Sequence, residues 1–508
     1  MITAASEASA ITLMVLVTLG ILGWGFYRAK SFGKLGILAW LQSVVLMLPW
    51  LLFFGLFAAG IYLNLVGILF LVVGSTALYV FLGNQLRSAS QDTVLQERAT
   101  AMLKARQAVN AEPANQKAEG ELGSSGTEST ASVGEGEGIP IPATDLQAIQ
   151  GIFGIDTFFA TETIPYQDGA IFKGNLRGDV EAAYSRLAGS LEERLGDRYR
   201  LFLVENQDGR PVVIVLPSRN DPKPTTLPQK LLALSLAIAT VATCLETGGI
   251  LLGFDFFSAP ERFREVLPIG GGILAVLAAH EIGHRVLARR HQVRLSPPFF
   301  FPTSQLGSFG ALTRFESIVP NRTVLFDVAF AGPAAGGLIS LLMLVTGLVL
   351  SHPGSLFQVP ADFFKGSILV GTLAKVVLGS ALQNSLVDVH PLTVIGWLGL
   401  VVSALNLMPA GQLDGGRIVQ AIYGRKTAGR TTVATLILLA IAAFANALAL
   451  YWAIIILFLQ RDLERPSLNE LSEPNDARAG LGLLALFLMI ATLLPLTPSL
   501  AGRLGIGG

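Results

Sequence analysis

The chain has 508 residues, of which 52% are hydrophobic and only 14% are charged, whereas soluble domains carry about 25% charged residues. This composition indicates a membrane protein with several spans and excludes a soluble enzyme of ordinary composition. Lys+Arg and Asp+Glu number 36 each, so the net charge gives no reason to expect a nucleic-acid partner. The single cysteine, Cys244, excludes an intramolecular disulfide.

Three apolar runs occupy the start of the chain, at 11–27, 36–58 and 62–84. Each is close to the roughly 20 residues that a helix needs to cross the hydrocarbon core. The loops after the first and third runs are basic, and the positive-inside bias places such loops in the cytoplasm. No basic stretch precedes the first run, so we expect a retained span and not a cleaved signal. The interval 1–87 is thus predicted to be a three-span membrane segment.

A polar region, 88–143, separates this segment from a predicted soluble domain. Its first part is expected to be helical. The stretch 110–143, with six glutamates against one lysine, is expected to be a flexible linker. The next interval, 144–222, has helical apolar spacing from Val180 to Leu195, flanked by β-type runs. Strands are predicted at 171–172, 199–204 and 212–216. We expect a cytoplasmic α+β domain that serves regulation or substrate gating.

The most informative stretch lies within an apolar run at 268–287, where the chain reads His280-Glu281-Ile282-Gly283-His284. Ionisable residues at membrane depth are costly and indicate function. On a helix, His280 and His284 project from one face and can share a metal ion. Glu281 lies beside that face, as the glutamate does in H-E-x-x-H zinc proteases, where it reaches the activated water. Arginines cluster just after His284, which places this helix end at the cytoplasmic face.

A third metal ligand is expected from another helix, because catalytic zinc sites offer three protein ligands and one open position. Of the other histidines, two are predicted on the far side and one lies in a basic loop, namely His352, His390 and His291. Asp414 follows an apolar run that reaches the cytoplasmic face, since basic residues come directly after it. Asp414 is therefore the better candidate. Gly415 and Gly416 are expected to allow close approach of a helix there.

Two features near this site have two interpretations each. The segment 296–312 contains three prolines and two glycines, so it is expected to be extended chain. It is either a hairpin that lines a cavity, because non-helical backbone at membrane depth needs protein or water around it, or an interfacial loop anchored by phenylalanines. Asn406 is either a residue that interrupts a helix before Pro409 or a donor to the oxyanion of the reaction.

The hydropathy pattern divides the rest of the chain into two predicted parts. The first is a membrane core at 228–460, and the second, at 461–508, consists of a loop and a C-terminal span. The spans of these two parts are predicted at 228–257, 268–289, 324–350, 397–407 with the residues upstream of it, and about 431–459 and 480–498. Successive spans must cross the membrane in alternating directions, and this leaves no full crossing for 365–386. That segment is therefore expected to be re-entrant or to lie on the membrane surface. The predicted fold is a mainly α, polytopic transmembrane helical bundle of about nine spans with this one re-entrant segment, a short membrane-associated β-hairpin, a small soluble α+β domain and a cytoplasmic C-terminus.

Several motifs together resemble the site-2 protease family of intramembrane zinc metalloproteases, over about 230–460. They are His280-Glu281-Ile282-Gly283-His284, Phe309-Gly310-Ala311, Ala331-Gly332-Pro333 and Asn406…Pro409…Leu413-Asp414-Gly415-Gly416. Two further motifs, Gly174-Asn175-Leu176-Arg177 and His390-Pro391-Leu392, resemble the chloroplast and cyanobacterial branch known in plants as ethylene-dependent gravitropism-deficient and yellow-green proteases.

The resemblance implies a zinc endopeptidase that cleaves membrane-spanning proteins in the bilayer. His280, His284 and Asp414 would be the ligands of one zinc ion per chain, and Glu281 the general base. A substrate segment would bind as an added strand on a hairpin whose residues are Gly307, Ser308, Phe309, Gly310, Ala311 and Leu312. The chain has no recognisable PDZ-like insertion, so the 144–222 domain is a candidate for substrate selection.

Two other functions compete with this one. A proteolytically silent membrane chaperone or assembly factor could use the same scaffold, although the intact Glu281 argues against it. A metal transporter could use the same ligands, but such proteins usually have two repeated halves, which the sequence lacks. We expect a transmembrane protein substrate, contact with the lipid bilayer, no nucleic acid, and a cyanobacterial plasma or thylakoid membrane location with the active site near the cytoplasmic face.

Overall fold

The computed structural model describes residues 23–30, 33–58, 74–75, 78–79, 81–83, 85 and 141–506, apart from positions 167, 207, 208, 304, 445 and 461. The chain divides into two compact units, Met1–Ala131 with Ala440–Ala447, and Ser132–Leu439 with Leu448–Gly508. In the first unit, helix α1 (Gly33–Ala58) contains the predicted apolar run 36–58. The predicted polar helix, nearly all of the linker and most of the runs 11–27 and 62–84 lie outside the described residues.

The N-terminal part of the second unit is a sheet covered by helices. Its elements are α2 (Ala143–Gln150), β1 (Phe158–Tyr166), β2 (Gly169–Leu176), α3 (Val180–Leu195), β3 (Tyr199–Glu205) and β4 (Pro211–Pro217). The antiparallel sheet has the order β1-β2-β4-β3. The predicted helix and strands are confirmed, and the Asp179 side chain caps α3. Strand β1 was not predicted, because it is a half-exposed edge strand rich in threonine and glutamate.

The next elements form a helical bundle: α4 (Leu227–Leu251), α5 (Phe263–Arg290), β5 (Phe299–Thr303), β6 (Gly307–Leu312) and α6 (Arg322–Leu350). Glycines allow the helix backbones to approach closely. A β-carbon on Gly283 of α5 would lie 2.4 Å from the Ala331 carbonyl oxygen of α6, and one on Gly270 of α5 would lie 2.9 Å from the Cys244 carbonyl oxygen of α4. Strands β5 and β6 pair in an antiparallel manner, which confirms the predicted hairpin.

The chain after α6 makes β7 (Phe357–Pro360), α7 (Ile368–Leu378), β8 (Leu386–Val389) and α8 (Pro391–Asn406). Strands β7 and β8 pair with each other. Helix α7 has 11 residues, which rise about 16 Å, roughly half of the hydrocarbon core. This length agrees with the prediction that 365–386 does not cross the membrane as one helix. Helix α8 packs tightly on α6, since a β-carbon on Gly396 would lie 2.3 Å from the Leu344 nitrogen.

The last elements are α9 (Asp414–Ala442), α10 (Ala447–Ile455), a π-helical turn (Ile456–Gln460), α11 (Asp476–Leu493) and α12 (Pro498–Leu504). Helix α9 is interrupted at Gly424, whose φ is 79°. Within the described residues, four helices are long and apolar enough to cross a membrane. They are α4, α5 with the short turn before it, α6 and α11, and they correspond to four of the about nine predicted spans.

The prediction of one crossing over 431–459 is wrong. Near its start, the Thr432 hydroxyl accepts a hydrogen bond from the Gly411 nitrogen at 2.8 Å. Just beyond its end, the Gln460 carbonyl accepts one from the Gln412 nitrogen at 2.9 Å. Both ends of this apolar stretch therefore lie beside the same turn, so the chain enters and returns on one side. The predicted single helix is in fact broken between α9 and α10.

The predicted cytoplasmic C-terminus is wrong for the same reason. Helix α11 starts beside the beginning of α6, where Arg478 Nε and Asp327 Oδ1 lie 2.7 Å apart. It ends beside the segment after α6, where the Leu494 carbonyl accepts a hydrogen bond from the Ile368 nitrogen at 2.9 Å. Helix α11 therefore runs in the same direction as α6. Its C-terminal end lies on the side where α6 ends, opposite to the basic loop at 291–294.

Candidate metal centre

Three side chains from two helices meet in the interior of the bundle. His280 and His284 lie one turn apart on α5, and Asp414 is the first residue of α9. The His280 Nε2 atom lies 3.1 Å from Asp414 Oδ2 and 3.1 Å from His284 Nε2, and His284 Nε2 lies 3.4 Å from Asp414 Oδ2. All three residues are buried. The structure thus brings together the three residues that the sequence predicts as ligands.

This triangle fits a tetrahedral metal ion. Zinc bonds of about 2.0–2.1 Å to nitrogen and oxygen place neighbouring ligand atoms about 3.3 Å apart in a tetrahedron, which is close to the separations observed. The His284 ring is oriented by its other nitrogen, since Nδ1 lies 2.8 Å from the Val328 carbonyl oxygen on α6. A hydrogen bond of this kind selects the tautomer that presents Nε2 to a metal.

Two glycines of α6 make room for the imidazoles. A β-carbon on Gly332 would lie 2.1 Å from His284 Nε2, and one on Gly336 would lie 3.0 Å from the His280 β-carbon. The glycine in the motif Ala331-Gly332-Pro333 is therefore explained by the His284 ring, which occupies the space of a side chain at position 332. Sequence reasoning recognised the motif but did not connect it with the histidines.

The Glu281 side chain is buried beside the histidines and has its own partner. One of its carboxylate oxygens lies within 4.8 Å of a ring nitrogen of each histidine. Its Oε2 accepts a hydrogen bond from the Thr313 hydroxyl at 3.1 Å. Both Glu281 and Asp414 could ligate a metal, but the Asp414 oxygen is within 3.4 Å of both imidazole nitrogens. Asp414 therefore completes the triangle, and Glu281 stands beside it.

Thr313 belongs to a buried polar chain that sequence reasoning missed. Its carbonyl oxygen accepts a hydrogen bond from Arg417 Nη2 at 2.8 Å. The same Nη2 lies 2.8 Å from Glu464 Oε2, and Arg417 Nε donates to that oxygen at 3.0 Å. Arg417 directly follows the motif that contains Asp414. An arginine at membrane depth could therefore have indicated this polar chain from the sequence. Glu464 lies 47 residues further along in a segment without a periodic pattern, so nothing indicated it.

Asn406 fastens the hairpin to the bundle. Its side-chain Nδ2 donates to the Phe309 carbonyl at 3.2 Å and to the Val402 carbonyl at 2.9 Å. The amide nitrogen has only two hydrogens, so both are engaged. Gly310, with φ of 103°, lies against this amide, and a β-carbon there would be 2.5 Å from Nδ2.

The predicted substrate strand borders the metal centre at one end. Its first four residues, Gly307, Ser308, Phe309 and Gly310, are buried, whereas Ala311 and Leu312 are half-buried. Ala311 and Leu312 line a small cavity together with His284 and Asp414. The less buried end of β6 therefore lies beside the candidate ligands.

Gln412 connects this small cavity with a larger one. The larger cavity has a volume of about 870 Å³ and lies between strands β3 and β4, the residues 314–319, and the residues 464–466. Gln412 lines both cavities. The outer face of the four-stranded sheet thus adjoins the approach to the candidate site.

The two glycines after Asp414 make close backbone contacts. A β-carbon on Gly415 would lie 1.9 Å from the Leu407 carbonyl oxygen, and one on Gly416 would lie 2.3 Å from the Gly411 carbonyl oxygen. They let the chain between α8 and α9 turn tightly against its own backbone. The close approach at Gly415 is therefore to the end of α8, and the one at Gly416 is to the turn that follows it.

Two histidines and a carboxylate buried in a helical membrane bundle, with a second carboxylate beside them, define a metalloprotease type of centre. Residues 271–448 match the peptidase family M50, and residues 147–223 match the EGY3 middle domain. The chain belongs to peptidase family M50, the site-2 protease family of zinc metalloproteases.

Two similar proteins come from the plant Arabidopsis thaliana. The probable zinc metalloprotease EGY2, chloroplastic, of Arabidopsis thaliana is 39% identical over 363 residues, which are 70% of this chain and 65% of that protein. The probable zinc metalloprotease EGY1, chloroplastic, of the same species is 36% identical over 406 residues, 72% of this chain and 74% of that protein. The alignment with EGY2 thus spans about two thirds of that relative's length. No solved structure matches this chain.

Proposed function

We propose that this chain is an intramembrane zinc endopeptidase that cleaves membrane-spanning proteins. The spacing of the three ligand atoms, 3.1 to 3.4 Å, is the observation that supports this most strongly. Hydrolysis needs a general base in addition to the metal ligands. Glu281 is buried beside the candidate ligands, where such a base is needed. A proteolytically silent chaperone has no use for such a base, so this arrangement favours the protease.

His280, His284 and Asp414 would hold one Zn²⁺ per chain. When bound, zinc polarises the scissile carbonyl and lowers the pKa of a water molecule to about 7. Glu281 accepts the proton of the attacking water and delivers it to the leaving amine. Burial of these groups strengthens their electrostatic interactions, because little solvent screens them.

The substrate would be held as an extended segment beside β6. A transmembrane helix satisfies its peptide groups internally, so unwinding it in the bilayer requires replacement partners. Strand pairing supplies these partners and leads the unwound chain along Ala311 and Leu312 toward the metal centre. In this account Asn406 keeps β6 in place, and it serves the oxyanion only if it releases one of its two carbonyl partners.

The larger cavity would receive the part of the substrate that leaves the membrane. It lies on the side of the basic loop at 291–294, which the charge bias assigns to the cytoplasm. Its sheet wall belongs to the region that matches the EGY3 middle domain. This region would gate or select substrates, because an emerging chain has to pass it.

The relatives are named chloroplastic, which supports a membrane of a photosynthetic cell or organelle. We propose a cyanobacterial plasma or thylakoid membrane as the location. The active site would face the compartment that contains the basic loops.

The test compares the wild type with Glu281→Gln in liposomes that contain a candidate single-span substrate. Zinc per chain and cleavage are both measured. Zinc retained together with loss of cleavage supports the protease, because the variant keeps all three ligands and loses only the base. Cleavage that persists in Glu281→Gln would overturn the proposal.

A further inference from the structure

We propose that Thr313 is a positioning residue for the catalytic glutamate, and that the buried ion pair of Arg417 and Glu464 holds Thr313 in place. This inference rests on the proposed function, since it assigns Glu281 the role of general base. It concerns residues outside the family's zinc motifs and connects the substrate strand with the base.

Thr313 stands between the hairpin and the base. It is the residue after β6, its side chain is buried, and its hydroxyl donates to Glu281 Oε2 at 3.1 Å. A carboxylate can rotate about its side-chain bonds unless a partner fixes one oxygen. With Oε2 held by the hydroxyl, the other oxygen is left to receive the proton of the attacking water. The hydroxyl thus orients the base.

The Thr313 backbone is held from the opposite side by Arg417. The guanidinium donates to the Thr313 carbonyl at 2.8 Å and lies over the Phe315 ring with 5.0 Å to its centroid. Arg417 is three residues after Asp414, so the helix end that carries a candidate metal ligand also holds Thr313. The helix that carries Asp414 therefore also supports the residue that orients the base.

Glu464 makes this arrangement stable. Arg417 is 5% exposed and Glu464 is 7% exposed, and a buried guanidinium without a counter-charge is strongly unfavourable. Two nitrogens of Arg417 contact the same Glu464 oxygen, at 3.0 and 2.8 Å. The other Glu464 oxygen accepts the Arg465 nitrogen at 3.2 Å. Both carboxylate oxygens thus have partners, and Oε2 holds the guanidinium against Thr313.

The position of Thr313 also couples substrate binding to the base. A substrate segment beside β6 would contact Ala311 and Leu312, and the next residue of the same strand end contacts Glu281. A hairpin out of place would therefore displace the base as well. This predicts that Thr313 acts on the chemical step and leaves zinc binding unaffected.

The test uses the full chain in liposomes with a single-span substrate and measures kcat, KM and zinc per chain for the wild type, Thr313→Val and Thr313→Ser. Valine has the shape of threonine without the hydroxyl, whereas serine keeps the hydroxyl. Thr313→Val is expected to lower kcat about 10- to 100-fold, as for a lost hydrogen bond to a charged group, with KM and zinc unchanged. Thr313→Ser is expected to stay near the wild type.

Thr240→Val is the matched control. Thr240 is a buried threonine of α4 whose hydroxyl has no hydrogen-bond partner among the described residues, so the same substitution there should leave kcat unchanged. A wild-type kcat in Thr313→Val would overturn the inference, and so would a Thr313→Ser as impaired as Thr313→Val. Glu281→Gln is measured in the same experiment. If Glu281→Gln still cleaves the substrate, the proposed function itself fails. If Glu281→Gln is inactive but Thr313→Val is fully active, only the positioning role of Thr313 is refuted.

Glu464→Gln tests the support of Thr313. The amide keeps the shape of the carboxylate but leaves the Arg417 charge unpaired, so kcat is expected to fall about 10-fold with zinc retained. Wild-type kcat in a zinc-loaded Glu464→Gln would remove the ion pair from the account. If this variant does not accumulate, the Thr313 pair of variants decides the inference.

Discussion

Gly332 of α6 lies against His284 of α5, and a β-carbon on Gly332 would be 2.1 Å from the His284 Nε2 atom. The imidazole cannot move aside freely, because Nδ1 is engaged by the Val328 carbonyl at 2.8 Å. Gly332→Ala is therefore expected to turn the ring away from the metal position and to lower zinc per chain at least about 10-fold, as for loss of a ligand or its orientation.

Gly337→Ala is the control for this prediction. Gly337 lies on the same helix, and a β-carbon there meets nothing within 4 Å. Zinc content should stay at the wild-type value in this variant. If Gly332→Ala binds as much zinc as Gly337→Ala, the two helices are not packed at His284 as described.

Asn406→Leu tests what fastens the hairpin. Leucine is similar in size but cannot donate to the Phe309 carbonyl. We expect faster hydrogen exchange of the β6 amides and cleavage at least about 10-fold slower, with zinc retained. Ser403→Ala on the same helix is the control, because the Ser403 hydroxyl lacks a partner among the described residues. An unchanged exchange rate of β6 in Asn406→Leu would show that Asn406 does not hold the hairpin.

Single cysteines test which helix ends share a side of the membrane. Cys244 is buried, so it should not react with a membrane-impermeant thiol reagent. Cysteines at the exposed positions His352 and Ser499 are expected to label from one side, and a cysteine at the exposed Arg294 from the other. Labelling of Ser499→Cys together with Arg294→Cys would restore the cytoplasmic C-terminus that the structure contradicts.

The sheet of the N-terminal part should lose stability in acid through Asp168. Burial raises the pKa of this carboxyl, but hydrogen bonds from Arg219 and Asn220 outweigh it and hold the pKa below its ordinary value. A folded-state pKa below the unfolded one stabilises the fold above the unfolded pKa, and this stabilisation is lost as the pH falls through the folded pKa.

Asp168→Asn should therefore accelerate hydrogen exchange of β2 and β4 at pH 7, after correction for intrinsic rates. The difference from the wild type should shrink as the pH falls below about 4, where carboxyls begin to protonate. A difference that stays the same down to low pH would mean that the Asp168 charge does not stabilise the sheet.

Much of the candidate site could be predicted from local pattern. The i, i+4 spacing of His280 and His284 and the charge bias around Asp414 were sufficient to bring the three side chains to one depth. The hairpin followed from its prolines and glycines. Each of these features is determined within one helix or one loop. Residue spacing and composition are therefore sufficient to predict it.

Other features depend on contacts between distant parts of the chain. Glu464 meets Arg417 because the chain after α10 returns to the site, and near the break between α9 and α10 the stretch 431–459 has only one polar residue, Asn446. A largely apolar stretch with one asparagine has the same hydropathy whether it crosses once or turns back. The wrong crossing at 431–459 and the wrong side of the C-terminus both follow from this one ambiguity.

The central claim is that His280, His284 and Asp414 bind one zinc ion. The direct measurement is zinc per purified chain for the wild type, Asp414→Ala and Asp362→Ala, the last being a control at a carboxylate whose side chain is 76% exposed. We predict about one zinc for the wild type and for Asp362→Ala, and a loss of most of it in Asp414→Ala, because three protein ligands are what a catalytic zinc site requires. Full zinc occupancy in Asp414→Ala would contradict the account.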